Sequence, residues 1–448
     1  MNIRLRVLVP LLCAAAWLGG VSVCPAGLMS EAEKTLFINF MVDYATPERS
    51  AEWKGWNYSN SQVSHNPDQM GPDQRRDIAS CLYPLVGVYD MSDPMIAEYH
   101  CQLMKMIGAD AGVFTLSFNE DPNAAKPQMR NLQRRVMENY FRYLKAYSLK
   151  GVLLFEDKAH WLWNDRHKTR TETVWAAFAD LDQWLGQFRD VQVQVAGRPL
   201  VLLFSYSQQV PGRGESRFSP DEIGYWMKSF EENQRPILLA QWFSPEYRGS
   251  LDGYYEWPHV VGPPPAGRDC RVFNDFDQEV KLWESRHEEL YFNLANGHYQ
   301  LVIGGVWPGF EDTGCYGWGG GCRIIPRYNG KVYAYHWKRM IESNYPLVQI
   351  ATWNDWGEGT AIEPSREYGT QYLELTREWS ARWRKTDALT GNLHVPAWIY
   401  VLRKTSKQQK ALEAAKAASA AIQNGRFDEA ERLLQPFVQP LQLERKLP

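Results

Sequence analysis

Short apolar segments alternate with longer amphipathic segments over most of the chain. The short segments are rich in β-branched and aromatic residues, which predicts buried strands. They span residues 35–43, 111–116, 150–155, 198–204, 236–242, 252–258, 299–306 and 347–351. Helical spacing of apolar residues predicts helices at 94–107, 128–147, 171–188, 275–296, 331–343 and 366–385, with another beginning at residue 219. This alternation predicts an α/β fold, a (β/α)8 TIM barrel with long βα loops, over residues 33–390.

Local signals mark the ends of the first long helix. Ser92 or Asp93 can cap its N-terminus, and Pro94 suits the first turn. Gly108 follows the last apolar position and is expected to end the helix.

The C-terminal segment, residues 391–448, has a different pattern. Residues 393–402 are apolar and are expected to pack on the outside of the barrel. Residues 407–437 are rich in alanine and predict a tetratricopeptide-like helix pair, with a break at Asn424 and Gly425. One such pair cannot bury its own apolar face, so we expect it to dock either on the barrel or on a protein partner.

Residues 1–26 have the pattern of an export signal. Arg4 and Arg6 precede an apolar stretch that contains Pro10 and several small residues. Cleavage near Ala26 would place the protein in the periplasm or outside the cell. A lipoprotein modified at Cys24 and an uncleaved N-terminal anchor are the alternatives.

Composition narrows the possible ligands. The formal net charge is −3, so the chain lacks the basic excess expected of a nucleic-acid-binding protein. The 19 Trp and 23 Tyr suit either a well-filled core or a long cleft with stacking surfaces for sugar rings.

Export permits disulfide bonds among the cysteines beyond the signal segment. Cys315 and Cys322 flank a short glycine-rich loop and are the favoured pair. Cys81 with Cys101 is a weaker pair, which would leave Cys270 free. The cysteine spacings do not match a zinc site, so we predict no metal and no cofactor.

The candidate chemistry follows the eighth predicted strand, where the sequence is WNDWGEG from residue 353. Asp355 and Glu358 lie among tryptophans and glycines, and Glu363 follows shortly after. The C-terminal ends of barrel strands carry the active site in this fold. Paired carboxylates flanked by aromatic residues are typical of enzymes that cleave glycosidic bonds.

A second acid, Glu156, ends the third predicted strand. It would face the same side of the barrel as Asp355, although an ion pair with Lys158 or a nearby arginine is an equally good interpretation. Trp161 follows and could line the cleft.

Four stretches resemble glycoside hydrolase family 99 and family 71 proteins. They are WNDWGEGTAIEPSREYG from residue 353, YDMSDPMIAEYHCQLMKMIGADAGVF from residue 89, DGYYEW from residue 252 and WPGFEDTGCYGWGGGCRIIPRYNGKVYAYHW from residue 307. Family 99 has glutamate where this chain has Asp355, whereas family 71 has aspartate there. The four stretches are spread between residues 89 and 369 of the predicted barrel.

The resemblance implies roles for individual residues. Asp355 would act as the base that helps the 2-hydroxyl of the substrate attack C1, and Glu358 would act as the acid/base. Glu363 is also a substrate-binding candidate, or it bonds the backbone or holds the loop. The resemblance adds these further substrate-binding candidates: Glu156, Tyr255, Trp257, Asp312, Arg327, Trp353, Asn354 and Trp356.

The expected function is that of an exported, retaining glycoside hydrolase that cleaves an α-linked mannan or glucan. Two alternatives stay open, a surface-polysaccharide-processing protein and a glycan-binding protein that has lost hydrolysis. The expected ligand in each case is an oligosaccharide or a polysaccharide. A nucleotide-sugar transferase is disfavoured because the glycine-rich segment lacks the features of a phosphate-binding loop.

Overall fold

The structure is a computed structural model. It describes residues 28–117, 127–156, 169–204, 209–210, 214–215, 217–241, 245–260 and 270–438. The predicted signal segment at residues 1–26 lies outside these ranges and stays a prediction. Within these ranges, none of the helices combines the length and apolar character needed to cross a membrane.

Eight parallel strands form the closed barrel that the hydrophobic pattern predicts. They are β1 Thr35–Phe40, β2 Ala111–Ser117, β3 Lys150–Glu156, β4 Arg198–Leu203, β5 Ile237–Ala240, β6 Gly253–Tyr255, β7 Leu301–Val306 and β8 Leu347–Ile350. Each strand pairs with the next, and β8 pairs with β1 to close the ring. Gln194–Val195 adds an antiparallel pairing to β4.

Among the described residues, seven helices follow these strands around the barrel. They are α1 Pro94–Ile107, α2 Pro127–Ala146, α3 Arg170–Gln187, α4 Pro220–Met227, α5 Phe276–Ala295, α6 Lys331–Glu342 and α7 Gln371–Arg384. The described part of the β5–β6 connection contains a 3₁₀ turn, Pro245–Tyr247. Two single-turn helices, Leu28–Glu31 and Pro47–Ser50, precede α1.

The ends of α1 follow the sequence signals. The Asp93 carboxylate accepts the backbone N–H of Met95, and Pro94 occupies the first turn. Gly108 ends the helix in the left-handed region, at φ 74°. The prediction for this helix is therefore confirmed, with Asp93 rather than Ser92 as the cap.

Several strands are shorter than the apolar pattern predicts. The pattern runs to Asp43, but β1 leaves the sheet after Phe40. Beyond Phe40, the backbone N–H and carbonyl of Met41 bond the side chain of Asn354, at 2.9 and 3.0 Å, instead of a neighbouring strand.

Three helices after the barrel form the C-terminal extension: α8 Val395–Thr405, α9 Gln409–Gln423 and α10 Phe427–Val438. α8 and α9 pack on α1 through a buried polar cluster. Arg403 donates to the carboxylate of Glu98 and, at 2.9 Å, to the hydroxyl of Ser419. Gln102 donates to the same hydroxyl at 2.9 Å. The helix pair thus docks on the barrel, which was one of the two expected arrangements.

A small sheet outside the barrel carries a disulfide bond. Phe310–Glu311 pairs antiparallel with Arg323–Ile325, which pairs in parallel with Arg271–Val272. Arg271 lies opposite Arg323, and this register brings Cys270 and Cys322 side by side in a disulfide with Cα atoms 4.6 Å apart.

The predicted cysteine pairing is therefore wrong. Cys315 points inward, where its thiol faces the backbone carbonyls of Asp312 and Gly357 at 3.6 and 3.3 Å. Cys81, Cys101 and Cys315 are free thiols. Sequence proximity favoured Cys315, but the strand register between distant segments decides the bond.

Candidate active site

A cavity of about 540 Å³ opens at the C-terminal end of the barrel. Residues from the ends of several strands and from the loop after β8 line it. They are Met41, Val42, Asp43, Thr115, Glu156, Phe204, Trp257, Trp318, Arg323, Asp355 and Glu358. Both predicted catalytic carboxylates therefore reach one cavity, at the end of the barrel where this fold places its chemistry.

Asp355 is held by its own loop. Its backbone N–H donates to the hydroxyl of Thr352 at 2.8 Å, and its Oδ1 accepts the backbone N–H of Glu358 at 3.0 Å. The residue is only 6% exposed. A short aspartate side chain suits this turn because it bonds the backbone three residues on along the chain.

Glu358 is held from the opposite side of the cavity. Its Oε1 accepts the indole N–H of Trp318 at 2.9 Å. Its backbone carbonyl accepts the N–H of Glu311 at 2.8 Å. The hydroxyl of Tyr44 accepts the backbone N–H groups of Trp356 and Gly357 at 3.0 and 3.4 Å and so supports the turn between the two acids.

The surroundings keep a proton on this pair. Burial raises the pKa of Asp355 well above its usual value, and the charges of Glu358 and Asp312 raise it further. Burial also raises the pKa of Glu358, against the lowering effects of the Trp318 hydrogen bond and of Arg323. Two like charges in one buried site do not both form easily, so the pair retains a proton that isolated carboxyl groups would lose.

A buried network behind the cavity fixes the rest of the loop. Asn354 bonds the backbone of Met41, accepting its N–H at 2.9 Å and donating to its carbonyl at 3.0 Å. Asn354 and Trp356 both donate to the hydroxyl of Tyr89, at 3.2 and 3.0 Å. Tyr89 donates in turn to Glu363 at 2.7 Å. The network ties the segments on either side of Asp355 to β1 and to the loop before α1.

Three predicted substrate-binding residues belong to this network. Asn354, Trp356 and Glu363 are almost fully buried and do not line the cavity. Both carboxylate oxygens of Glu363 are occupied, one by Tyr89 and the other by His100 at 3.0 Å. Each of the three side chains already uses its polar atoms inside the protein, so we assign them to positioning, and Glu363 holds the loop.

Two other predicted substrate-binding residues, Trp353 and Tyr255, lie in the core. Trp353 is buried between Phe40 and His100, with ring centroids at 5.5 and 5.4 Å. Tyr255 is buried in the barrel, where its hydroxyl donates to the carbonyl of Leu203 at 3.0 Å. Both rings are fully buried, and neither is among the residues that line the cavity.

Asp312 and Arg327 bind protein groups next to the cavity. Asp312 is fully buried and accepts two hydrogen bonds from the guanidinium of Arg323, at 3.1 and 2.8 Å. Arg327 donates to the carbonyls of Gly359 and Ala361 at 2.9 and 2.8 Å. Both side chains hold protein groups in this structure, and the contact of Asp312 and Arg327 with substrate stays a prediction.

Four predicted site residues do line the cavity: Asp355, Glu358, Glu156 and Trp257. Their contact with substrate stays a prediction. Trp161 lies outside the described residues. Sequence reasoning missed the lining residues Asp43, Trp318 and Arg323. Asp43 follows β1 directly and could have been found by its place at a strand end. The other two depend on a loop whose path the sequence does not predict.

Within the described residues, no group of three or more His, Cys, Asp or Glu side chains is arranged to hold a metal ion. The lining that the structure describes offers carboxylates, aromatic rings and one guanidinium.

Comparisons with known proteins point to sugar-active enzymes. A family model described as Glycosyltransferase WbsX matches residues 272–376, which include both catalytic candidates. The mouse glycoprotein endo-alpha-1,2-mannosidase is 23% identical over 384 residues, covering 76% of this chain and 73% of the mouse protein. The rat protein of the same name is 22% identical over 371 residues, with the same coverage of 76% and 73%.

A solved structure shares the fold. The GH99 endo-alpha-mannosidase from Bacteroides thetaiotaomicron superposes with a TM-score of 0.54 at 18% identity, covering 79% of this chain and 98% of that chain. At this identity the likeness supports the barrel architecture and not the details of the site.

Proposed function

We propose, on the premise that the chain is a glycoside hydrolase family 99-like protein, that it hydrolyses an α-linked polysaccharide such as mannan or glucan with retention of configuration. One observation carries the proposal. Asp355 and Glu358 share one buried cavity at the C-terminal end of the barrel, and their surroundings keep a proton on the pair.

The proposed first step uses both acids. Asp355 removes the proton from the 2-hydroxyl of the substrate while that oxygen attacks C1. The bond from C1 to the leaving oxygen breaks, and Glu358 transfers its proton to that oxygen. The product is an epoxide-like sugar. In the second step Glu358 takes a proton from water and the water oxygen attacks C1. The C1–O2 bond breaks, and O2 recovers its proton from Asp355. Two inversions at C1 give retention.

Burial raises the pKa of both acids, so the pair shares a proton in the folded protein. The mechanism needs it on Glu358 when substrate is bound. A sugar hydroxyl that donates a hydrogen bond to Asp355 stabilises the carboxylate form of that residue. Substrate binding would thus move the proton to Glu358 and make the pair ready to react.

The shorter side chain of Asp355 is the main departure from family 99. A direct attack of Asp355 on C1, which would form a covalent sugar intermediate, is the alternative route to retention. The two routes differ in a measurable way, because removing the 2-hydroxyl from the substrate blocks only the route through the epoxide-like sugar. Hydrolysis of a 2-deoxy substrate at a rate near that of the parent sugar would favour direct attack.

The charges of the cavity support an uncharged substrate. The described lining includes the carboxyl groups of Asp43, Glu156, Asp355 and Glu358 and one guanidinium, that of Arg323, which Asp312 already binds. An acidic polysaccharide would meet repulsion in such a site. Neutral mannans and glucans fit it better, with Trp257 as a stacking surface.

The name of the matched family model favours a second candidate, a surface-polysaccharide-processing enzyme that transfers a sugar to an acceptor. Transfer and hydrolysis share the first step and differ in whether water or a sugar hydroxyl attacks C1. A glycan-binding protein without turnover is the third candidate. Incubating the purified protein with α-mannans and α-glucans, with and without acceptor oligosaccharides, separates the three. New reducing ends indicate hydrolysis, elongated acceptors indicate transfer, and binding without products indicates a lectin-like protein.

Export is part of the proposal and rests on residues 1–26. N-terminal sequencing of the protein recovered from the producing cell tests it. A mature start just after Ala26 supports a cleaved signal, a lipidated Cys24 indicates a lipoprotein, and an intact Met1 in the membrane fraction indicates an anchor.

A further inference from the structure

Trp318 stands out among the aromatic residues because it is 51% exposed while its indole N–H is occupied. It lies on the rim of the catalytic cavity, in the glycine-rich loop between Cys315 and Cys322. Most aromatic residues near the site are buried in the core instead. An exposed ring with a fixed polar contact in a cavity suggests a role in the reaction.

The contacts of Trp318 fix its orientation. The indole N–H donates to Oε1 of Glu358 at 2.9 Å. The ring of Tyr58 meets it edge to face, with centroids 5.0 Å apart. On another side the ring lies so close to Gly357 that an added Cβ there would be 3.2 Å from Cζ2. The ring therefore packs between Tyr58 and the backbone that carries the catalytic acid.

The loop that presents Trp318 is itself held at both ends. Gly317 donates its N–H to the carbonyl of Asp312 at 3.0 Å, and Asp312 also binds Arg323. Cys322 is tied to Cys270 by the disulfide bond. Trp318 adopts φ 55°, in the left-handed region, which a non-glycine residue rarely occupies. The conformation is thus maintained by the surrounding contacts.

We propose that Trp318 is a positioning residue for the acid/base: it occupies Oε1 of Glu358, so that the proton for the leaving oxygen is carried on Oε2. This inference rests on the proposed function, which makes Glu358 the proton donor. An indole N–H donates and cannot accept. The Glu358 oxygen that accepts it therefore does not carry a proton that points at the indole.

The same hydrogen bond assists the reaction. As Oε2 gives its proton to the leaving oxygen, the C1–O bond breaks and Glu358 becomes a carboxylate. A hydrogen bond to a carboxylate is stronger than one to a neutral carboxyl group. The indole therefore stabilises the charge that develops in the transition state, in a site that is already ordered. In the second step Oε2 takes the proton from water.

Other titratable groups lie near Glu358. Asp355, Asp312, Arg323 and Cys315 interact with it electrostatically, and Asp43 and Glu156 line the same cavity. Burial raises the pKa of Glu358, whereas the Trp318 hydrogen bond and Arg323 lower it. Removing the indole N–H while leaving the other groups in place should therefore move the pKa of the acid upward.

The test compares Trp318→Phe with a matched control. Trp53→Phe is suitable because the indole N–H of Trp53 also donates to a carboxylate, Asp68 Oδ1, at 2.9 Å, but outside the catalytic cavity. We expect Trp318→Phe to lower kcat/KM on the polysaccharide by about 10-fold to 100-fold. The basic limb of its pH profile should move to higher pH. Trp53→Phe should leave both unchanged.

An activated substrate separates positioning from general damage. An aryl glycoside with a nitrated phenol as leaving group needs little protonation, so Trp318→Phe should lose much less activity on it. An equal loss on both substrates, or a basic limb that does not move, would overturn the proposal.

A measurement without turnover keeps this test independent of the proposed function. In protein labelled with 5-fluorotryptophan, the fluorine signal missing from Trp318→Phe belongs to Trp318. We expect that signal to titrate in the wild type and to stop titrating in Glu358→Gln. If the signal titrates but the wild type hydrolyses no substrate, the hydrolase assignment is refuted and the coupling of Trp318 to Glu358 still holds. A signal that does not titrate would refute the coupling.

Discussion

Glu358 and Glu363 belong to the same loop after β8 but have opposite surroundings. Both oxygens of Glu363 are bound, by Tyr89 at 2.7 Å and by His100 at 3.0 Å, and the residue is 2% exposed. Glu358 is partly exposed to the cavity, and Trp318 is the hydrogen-bond donor to its side chain in the structure. The comparison shows that the residue type alone does not identify a catalytic acid. The protein partners of its oxygens decide whether it can act on a substrate.

Substitution of the catalytic pair should have the largest effect, and that effect is on activity. We expect Asp355→Asn and Glu358→Gln each to lower kcat on α-mannan or α-glucan by roughly 10³-fold or more, because each removes a proton-transfer group. Release of reducing ends measures the effect. Circular dichroism spectra that match the wild type provide the control for folding. Activity within a few-fold of the wild type in either variant would contradict the assignment.

Glu363→Ala should instead act on stability. It leaves His100 and the Tyr89 hydroxyl without their buried partner, so we expect the free energy of unfolding to fall by about 3–5 kcal/mol. Denaturant unfolding measures the change. A loss of catalysis at unchanged stability would show that Glu363 touches the substrate and that its assignment to positioning is wrong.

Removing the disulfide should lower the free energy of unfolding by less than Glu363→Ala does. Cys322→Ser removes the bond to Cys270, which closes a loop with a sequence separation of 52, and we expect a loss of about 2–4 kcal/mol. Thermal unfolding in the presence and absence of a reducing agent measures it. Cys315→Ser is the matched control, since its thiol is free and should show no dependence on reduction.

The smallest expected effect is a gain in the free energy of unfolding. Burial raises the pKa of Asp355, so the folded state binds a proton more tightly than the unfolded state does. Stability therefore falls as pH rises through the range between the unfolded and the raised folded pKa. Asp355→Asn removes this penalty and should stabilise the protein at pH 7 by about 1–2 kcal/mol, with little gain at pH 4. Equal effects at both pH values would contradict the raised pKa.

The sequence was enough to predict the barrel because its signals are local. Apolar runs gave eight strands, and the short spacing of Asp355 and Glu358 ensured that both would reach one strand end. The orientation of other residues depends on distant partners. Trp353 and Tyr255 turn into the core because Phe40, His100 and Leu203 surround them, and these contacts join segments far apart in the chain.

The sequence also did not predict the path of the glycine-rich loop. Its composition suggested a flexible connection closed by Cys315 and Cys322. The loop is shaped by the strand register that pairs Cys270 with Cys322 and by the ion pair of Asp312 with Arg323. These long-range contacts bring Trp318 to Glu358, and no local pattern predicts them.

The most direct test of the central claim is proton NMR of α-mannan and α-glucan digests from the earliest minutes of reaction. The measurement uses the wild type, Asp355→Asn and Glu358→Gln. The account predicts that the wild type releases reducing ends that first appear in the α configuration, and that neither variant releases them at a comparable rate. Products that first appear in the β configuration, or release by both variants at the wild-type rate, would contradict it.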